Sequence, residues 1–185
     1  MATLNNKKVA ILSENGFEEK ELTSPKAALE EAGAQVSILS PQESSIRSWK
    51  NGNWGNVELK VDQQVSQANP ADYDALVLPG GVLNPDKLRQ NKDAVAFTTQ
   101  FFKTGKPVAA ICHGPQTLIE TGLLEGKEMT SYPSLKTDLV NAGAHWIDRE
   151  VVVDQGLVTS RRPDDLPAFN RKLIEEIGEG VHEPR

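Results

Sequence analysis

Short unbroken apolar runs alternate along this chain with stretches in which apolar residues recur every three or four positions. That is the rhythm of buried strands alternating with helices. Val9-Ala10-Ile11-Leu12 is the first run. After the turn Ser13-Glu14-Asn15-Gly16, the positions Leu22, Ala28, Leu29 and Ala32 fall at helical spacing before Gly33. The spacing predicts a helix over 17–32, kinked or broken in its first turn at Pro25. Residues 35–39 form a second strand closed by Ser40-Pro41, so the chain opens as strand–helix–strand, the unit of a parallel sheet with a right-handed crossover. Residues 42–70 break the rhythm: Asn51-Gly52 and Trp54-Gly55 are turn signals beside the alternation Val57-Glu58-Leu59-Lys60-Val61. A small antiparallel hairpin at one edge is expected there.

The pattern resumes with Ala75-Leu76-Val77-Leu78, which runs into Pro79-Gly80-Gly81. A helix over 92–103 follows, with Val95, Phe97, Phe101 and Phe102 as its apolar positions, then a buried strand Val108-Ala109-Ala110-Ile111 that runs directly into Cys112-His113-Gly114-Pro115. Beyond it the pattern predicts a helix over 116–121, a short strand near 129–131, a helix over 134–142, a hairpin of 151–153 with 157–160, and a closing helix from 164 or 165 to 177. No repeat, low-complexity stretch or linker interrupts 1–185, which reads as a single domain. The fold class is α/β: a three-layer sandwich of the flavodoxin-like kind, with a mostly parallel central sheet and small antiparallel hairpin insertions.

Composition narrows the function classes. In 185 residues, 38% are hydrophobic and 25% charged, as in a globular protein. The net charge of −6, with basic residues scattered singly or in isolated pairs such as Arg161-Arg162, argues against a nucleic-acid-binding face. A single cysteine cannot staple a secreted fold, the polar segment 1–8 lacks the apolar core of a signal peptide, and no apolar run approaches the roughly 18 residues of a membrane span. The expectation is a cytoplasmic protein.

Candidate chemistry concentrates at the strand–Cys–helix junction. In open parallel sheets ligands bind outside the carboxyl ends of the strands, and Cys112 stands at such an end and at the start of a helix, where free amides favour a thiolate. Gly114 permits a sharp turn, which would expose the sulfur as in a nucleophile elbow; a buried inert thiol is the plainer alternative. Amides of the Gly80-Gly81 turn could hold a developing oxyanion, or the turn could simply be tight. The acidic run Glu18-Glu19-Lys20-Glu21 is either a solvated first helical turn or the source of a carboxyl that reaches the cysteine. His113 adjoins Cys112, but adjacent side chains usually diverge. His145 reads as structural and His182 as solvated in a polar tail. With one Cys and three dispersed His there is no metal-ligand spacing, and no phosphate-binding glycine motif follows a strand; no metal or cofactor is expected.

Four blocks, Ala75-Leu76-Val77-Leu78-Pro79-Gly80-Gly81, 106–116 with Ala110-Ile111-Cys112-His113-Gly114-Pro115, Glu150-Val151-Val152-Val153-Asp154, and Ser160-Arg161-Arg162-Pro163-Asp164-Asp165-Leu166, resemble the PfpI family of the class I glutamine amidotransferase-like superfamily. The resemblance implies a Cys112 nucleophile and places Glu18 as the carboxyl hydrogen-bonded to it. It also matches Gly80, Gly81 and the amide of His113 to oxyanion-binding groups, and His113 to the histidine of a Cys–His–acid arrangement. The acid would come from a neighbouring subunit, with Asp86 its nearest match, so a homodimer or larger homo-oligomer is implied. Ser160-Arg161-Arg162-Pro163 stands where amidotransferases carry a late His–x–Glu, which speaks against that activity.

The resemblance further implies a stress-response cysteine enzyme. Peptide hydrolysis, cofactor-free conversion of methylglyoxal to lactate and removal of early glycation adducts share one logic, attack of a thiolate on a carbonyl carbon. Small carbonyl compounds fit the end of a strand better than folded chains, which favours reactive-carbonyl chemistry of the glyoxalase or deglycase type over a PfpI-type cysteine peptidase acting on peptides. A redox-sensing or chaperone-like protein using oxidation of Cys112 is the rival of a different class.

Overall fold

The computed structural model describes residues 3–184; Met1 and Ala2, where the segment read against a signal peptide begins, lie outside them. In chain order the elements are β1 (Lys8–Leu12), β2 (Phe17–Glu18), α1 (Glu19–Glu31), β3 (Gln35–Ser40), β4 (Ser45–Lys50), β5 (Asn53–Lys60), β6 (Gln63–Gln64), β7 (Ala75–Leu78), α2 (Leu83–Gln90) and α3 (Lys92–Lys103). They continue with β8 (Val108–Ile111), α4 (Pro115–Ile119), β9 (Glu128–Met129), α5 (Lys136–Asn141), β10 (His145–Trp146), β11 (Val152–Asp154), β12 (Leu157–Ser160) and α6 (Leu166–Glu179).

Seven strands form one sheet in the order β11-β12-β8-β7-β1-β3-β6, parallel throughout except for the β11–β12 hairpin at one edge. The period of two along each strand sorts the core into two layers. Val9, Ile11, Val77, Ala109, Ile111 and Val158 point to one face, under Leu22 and Leu29 of α1 and Phe169 and Leu173 of α6. Ala10, Leu12, Leu76, Leu78, Val108 and Ala110 point to the other, under Leu88 of α2, Phe97, Phe101 and Phe102 of α3, Leu118 of α4 and Leu139 of α5. Both faces are covered, which is why the strands read as continuous apolar runs. No helix is long and apolar enough to cross a membrane among the described residues.

The β1–α1 connection carries the acidic run, and the excursion after β3 holds it in place. Asn51 and Gly52, both at positive φ (51° and 77°), turn β4 back onto β5 as the Asn-Gly signal predicts. β4 in turn pairs with β2, Phe17 opposite Ser48, so the expected hairpin becomes a three-stranded side sheet built around the residues before α1. Gly16 N donates to Arg47 O at 2.8 Å and Arg47 N to Asn15 Oδ1 at 2.8 Å. The first helix therefore begins at Glu19 rather than at 17, because Phe17 and Glu18 are extended and paired. It runs unbroken through Pro25, which removes only the hydrogen bond to the carbonyl of Glu21.

Helix α2 carries no sequence signal strong enough to predict it. Pro85 and the polar Asn84 sit in its first turn and only Leu88 is a fully buried apolar residue. Tertiary contacts supply what the local pattern lacks. Buried Asn84 donates from Nδ2 to the carbonyls of Pro79 (3.0 Å) and Gly80 (3.1 Å), and its Oδ1 accepts from Glu14 N (2.7 Å). One side chain thus ties the loop after β1 to the loop after β7.

Asn84→Ala removes the side-chain partner of Glu14 N and Pro79 O, while Gly80 O still accepts from Glu18 N at 3.3 Å, and is expected to lower stability by about 2 kcal/mol or more, measured by urea unfolding. An effect below about 0.5 kcal/mol would show that the clamp is replaceable.

Candidate active site

The two directions in which the sheet grows diverge at β1, with β3 on one side and β7 on the other. The crevice at the carboxyl ends of the central strands is where such sheets place ligands. Three connections meet there: the β1–α1 loop, the Pro79-Gly80-Gly81 turn after β7, and Cys112 after β8.

Cys112 has φ +61°, a left-handed conformation that disfavours any residue with a Cβ. Backbone bonds hold it on both sides. Cys112 N donates to Ser160 O (3.0 Å) on the neighbouring strand, Gly114 N to Ile111 O (2.9 Å), and Tyr132 N to Cys112 O (2.8 Å). Strain maintained in this way is the signature of a side chain aimed for a purpose. A Cβ at Gly114 would run into the carbonyl of Leu78, so the turn requires glycine. A Cβ at Gly80 would run into Glu21 Oε2 and come within 2.7 Å of Cys112 Cβ. Glycine is what lets the β7 turn approach the thiol and the carboxyl together.

The carboxyl beside the thiol belongs to Glu21. Glu18, which the resemblance assigns to that place, is the N-cap of α1, its Oε2 accepting from Glu21 N at 2.8 Å. The correction has a helical reason. Glu21 lies on the buried stripe of α1 with Leu22, Pro25 and Leu29, one turn in from the cap, whereas the capping position points back along the helix axis. Glu21 is fully buried, with the thiol of Cys112 and the amides of Gly80 and Gly81 against it, yet neither carboxyl oxygen completes an aligned hydrogen bond. Burial first, and then the charge of Glu18, push its pKa up to about 8. At neutral pH Glu21 therefore carries a proton.

Cys112 is itself 7% exposed. Burial, and after it the negative charge of Glu21, push the ionisation of the thiol up, opposite to the direction expected from a helix N-terminus; α4 is only five residues long. The amides of Gly81 and His113 lie against the sulfur and pull the other way. Protonation of Glu21 removes its repulsive charge and leaves an acidic O–H facing the sulfur.

His113 converges on the thiol despite its adjacency, with Nδ1 3.2 Å from Cys112 Sγ. Its Nε2 is 3.3 Å from Ser134 Oγ, and its ring stacks on Tyr132 with centroids 4.7 Å apart and 23° between planes. Burial lowers its pKa, so the ring is neutral and able to accept a proton. Asp86 stands exposed in the first turn of α2, where Gln90 Nε2 donates to its Oδ2 at 3.5 Å. Tyr132 and Ser134 carry no sequence signal, because they arrive through the loop after β9. Glu21 did carry one, its i, i+1, i+4, i+8 phase with Leu22, Pro25 and Leu29.

The DJ-1/PfpI family profile matches residues 7–176. YraA of Bacillus subtilis (strain 168), by name a candidate cysteine protease, is 46% identical over 169 residues, 91% of this chain and 97% of its own. Protein/nucleic acid deglycase 2 of Escherichia coli (strain K12) is 43% identical over 174 residues, 94% and 99% of the two chains. Among solved structures, DJ-1beta of Drosophila melanogaster superposes with a TM-score of 0.83 at 29% identity, covering 96% of this chain and 91% of that one. Family profile, near-full-length relatives and shared fold agree with the blocks of sequence around Cys112: the chain belongs to the DJ-1/PfpI family.

Proposed function

We propose that this protein is a cofactor-free cysteine enzyme acting on small reactive carbonyls and early glycation adducts. The observation that carries the reading is the buried Glu21–Cys112 pair, a carboxyl held protonated beside a thiol on a strained strand-to-helix turn. Membership of an enzyme family with a relative named as a deglycase supports it.

The groups present can move every proton that the reaction needs. As Cys112 Sγ bonds to the aldehyde carbon of a dicarbonyl such as methylglyoxal, the thiol proton passes to neutral His113 Nδ1. The carbonyl oxygen takes the negative charge, facing the amides of Gly81 and His113, and is then protonated to give a hemithioacetal. Glu21, by giving its proton to that oxygen, becomes the carboxylate that takes the proton from the former aldehyde carbon and returns it to the adjacent ketone carbon, while His113 gives a proton to the ketone oxygen and takes the hydroxyl proton, which turns the hemithioacetal into a thioester. Water cleaves that thioester to lactate and restores the thiol. No external oxidant is required, because one carbon is oxidised as its neighbour is reduced. An adduct of a carbonyl with an amine or thiol would enter at the same first step.

Exposure of Cys112 at only 7% favours small substrates over folded chains. The same burial, with the upward push on thiol ionisation, weighs against oxidation as the main chemistry of Cys112. Tyr132 and Ser134 would orient His113 within one chain. A neighbouring subunit carrying Asp86 would be needed only if that acid contributes.

The test is lactate formation from methylglyoxal by folded protein. Cys112→Ala is expected to abolish turnover and Glu21→Gln to lower kcat by about 10²–10⁴-fold. Glu18→Gln should instead weaken a helix cap, costing about 1 kcal/mol of stability with little change in kcat. Absence of turnover in the folded wild type would overturn the reading and bring peptide hydrolysis forward.

A pH dependence follows from Glu21. Its proton is retained in the folded state up to about pH 8 but lost near 4.5 when unfolded. Stability should therefore decline as pH rises from about 4.5 through about 8, by at most about 1.4 kcal/mol per unit. Activity should fall above about 8 as the acid is lost. Glu21→Gln is expected to flatten the stability slope in denaturation curves collected across that range; an unchanged slope would place the titration elsewhere.

A further inference from the structure

At the end of β8 opposite Cys112, the closing helix and the segment after it gather three potential ligands. Glu176 and Glu179 stand one turn apart in the last turns of α6. Gly180, at φ +94°, ends the helix and turns the chain back, and His182 N donates to Gly105 O at 2.9 Å. The histidine is therefore fixed by a backbone bond that owes nothing to its ring. The sequence reads His182 as solvated in a polar tail and finds no ligand spacing. The structure differs because the turn at Gly180 folds that tail over the helix end.

The hydrogen-bond accounting at this point is unusual. The Glu176 side chain is only 8% exposed, and its Oε2 lies 3.0 Å from His182 Nε2. Both atoms are shut off from water, yet neither makes an aligned hydrogen bond, even with the other. Buried polar atoms are rarely left so. A carboxylate oxygen and an imidazole nitrogen that face the same space without pointing at each other have the relation of two donors to one cation. Donors on a tetrahedral zinc, with bonds of about 2.1 Å, stand about 3.4 Å apart.

Glu179 supplies a third oxygen, all three atoms falling within 4.8 Å of one another. Its exposed side chain is free to close the remaining distance.

We propose that Glu176, Glu179 and His182 form a binding site for one divalent transition metal of the zinc type. One imidazole and two carboxylates make a borderline-hard set suited to Zn2+, with the fourth position open to water on the exposed side. The site lies outside the reaction proposed for Cys112 and would tie the C-terminal segment to the helix end and the turn at Gly105.

The test uses untagged protein carrying Cys112→Ser, which removes the one thiol that could compete for zinc. Equilibrium dialysis against Zn2+ is expected to give one equivalent bound per chain. His182→Ala and, separately, Glu179→Gln should each weaken binding roughly tenfold or more. Both residues are at the chain end or exposed, so the variants should fold. Zn2+ should also raise the Tm of the parent and protect the segment after Gly180 from carboxypeptidase, and should do neither in His182→Ala. Uptake below one equivalent at Zn2+ concentrations up to 100 μM (~10⁻⁴ M, far weaker than structural zinc sites) would overturn the proposal. So would uptake that both substitutions leave unchanged, as would a Glu176–His182 ion pair indifferent to the metal.

Discussion

Burial of the Glu21 carboxyl against the Cys112 thiol puts two acids into one water-poor space, and the surrounding backbone is arranged around that pair. Neither group can ionise cheaply there. The carboxyl keeps its proton to about pH 8, and the thiol is restrained by burial and by whatever charge the carboxyl carries. The proton of one is thus the control on the other. The backbone concedes what the pair needs: a left-handed residue at position 112, glycines at 80 and 114 where a Cβ would collide, and amides turned toward the sulfur.

The side sheet and α2 belong to the same arrangement, although they contribute no group to the thiol. The β4–β5 hairpin holds the β1–α1 loop through β2, and Asn84 bonds that loop to the turn after β7. Glu21 is delivered by the first of these connections and Gly80 by the second. A shift in either would open the space between them, so the insertion at the sheet edge is part of what sets the geometry at its centre.

Most of the central sheet was legible in the sequence because its inner strands are buried on both faces and read as plain apolar runs, with Asn51-Gly52 and Asp154-Gln155-Gly156 marking the two hairpins; the edge strand β6, Gln63–Gln64, leaves no apolar signal and was not. Helix α2 was not, since Asn84 and Pro85 earn their places through tertiary contacts that leave no periodic trace. At the site, Cys112, His113, Gly80 and Gly81 could be named because strand ends and glycine turns are local features. Assigning the carboxyl to Glu18 erred by one helical turn. Resemblance identified the acidic run, but only the phase of the buried stripe says which member faces inward. Tyr132 and Ser134 depend on a loop path that no local rule describes, and His182 on a turn at Gly180 whose direction is fixed by Gly105.

The surroundings of Cys112 are drawn from distant parts of the chain: residue 21, residues 80 and 81, the loop at 132–134, and Ser160, whose strand pairs with β8 from nearly fifty positions further on. Parallel pairings across such separations form late in folding, after long loops have closed. On a nascent or partly unfolded chain, Cys112 is consequently an ordinary thiol, with no proton partner, no oriented amides and free access to solvent. Its setting is incomplete until β12 pairs with β8 and Ser160 O receives the Cys112 amide. The reactivity of one sulfur atom therefore keeps time with the assembly of the whole sheet, and a chain stalled before that point carries an unguarded cysteine.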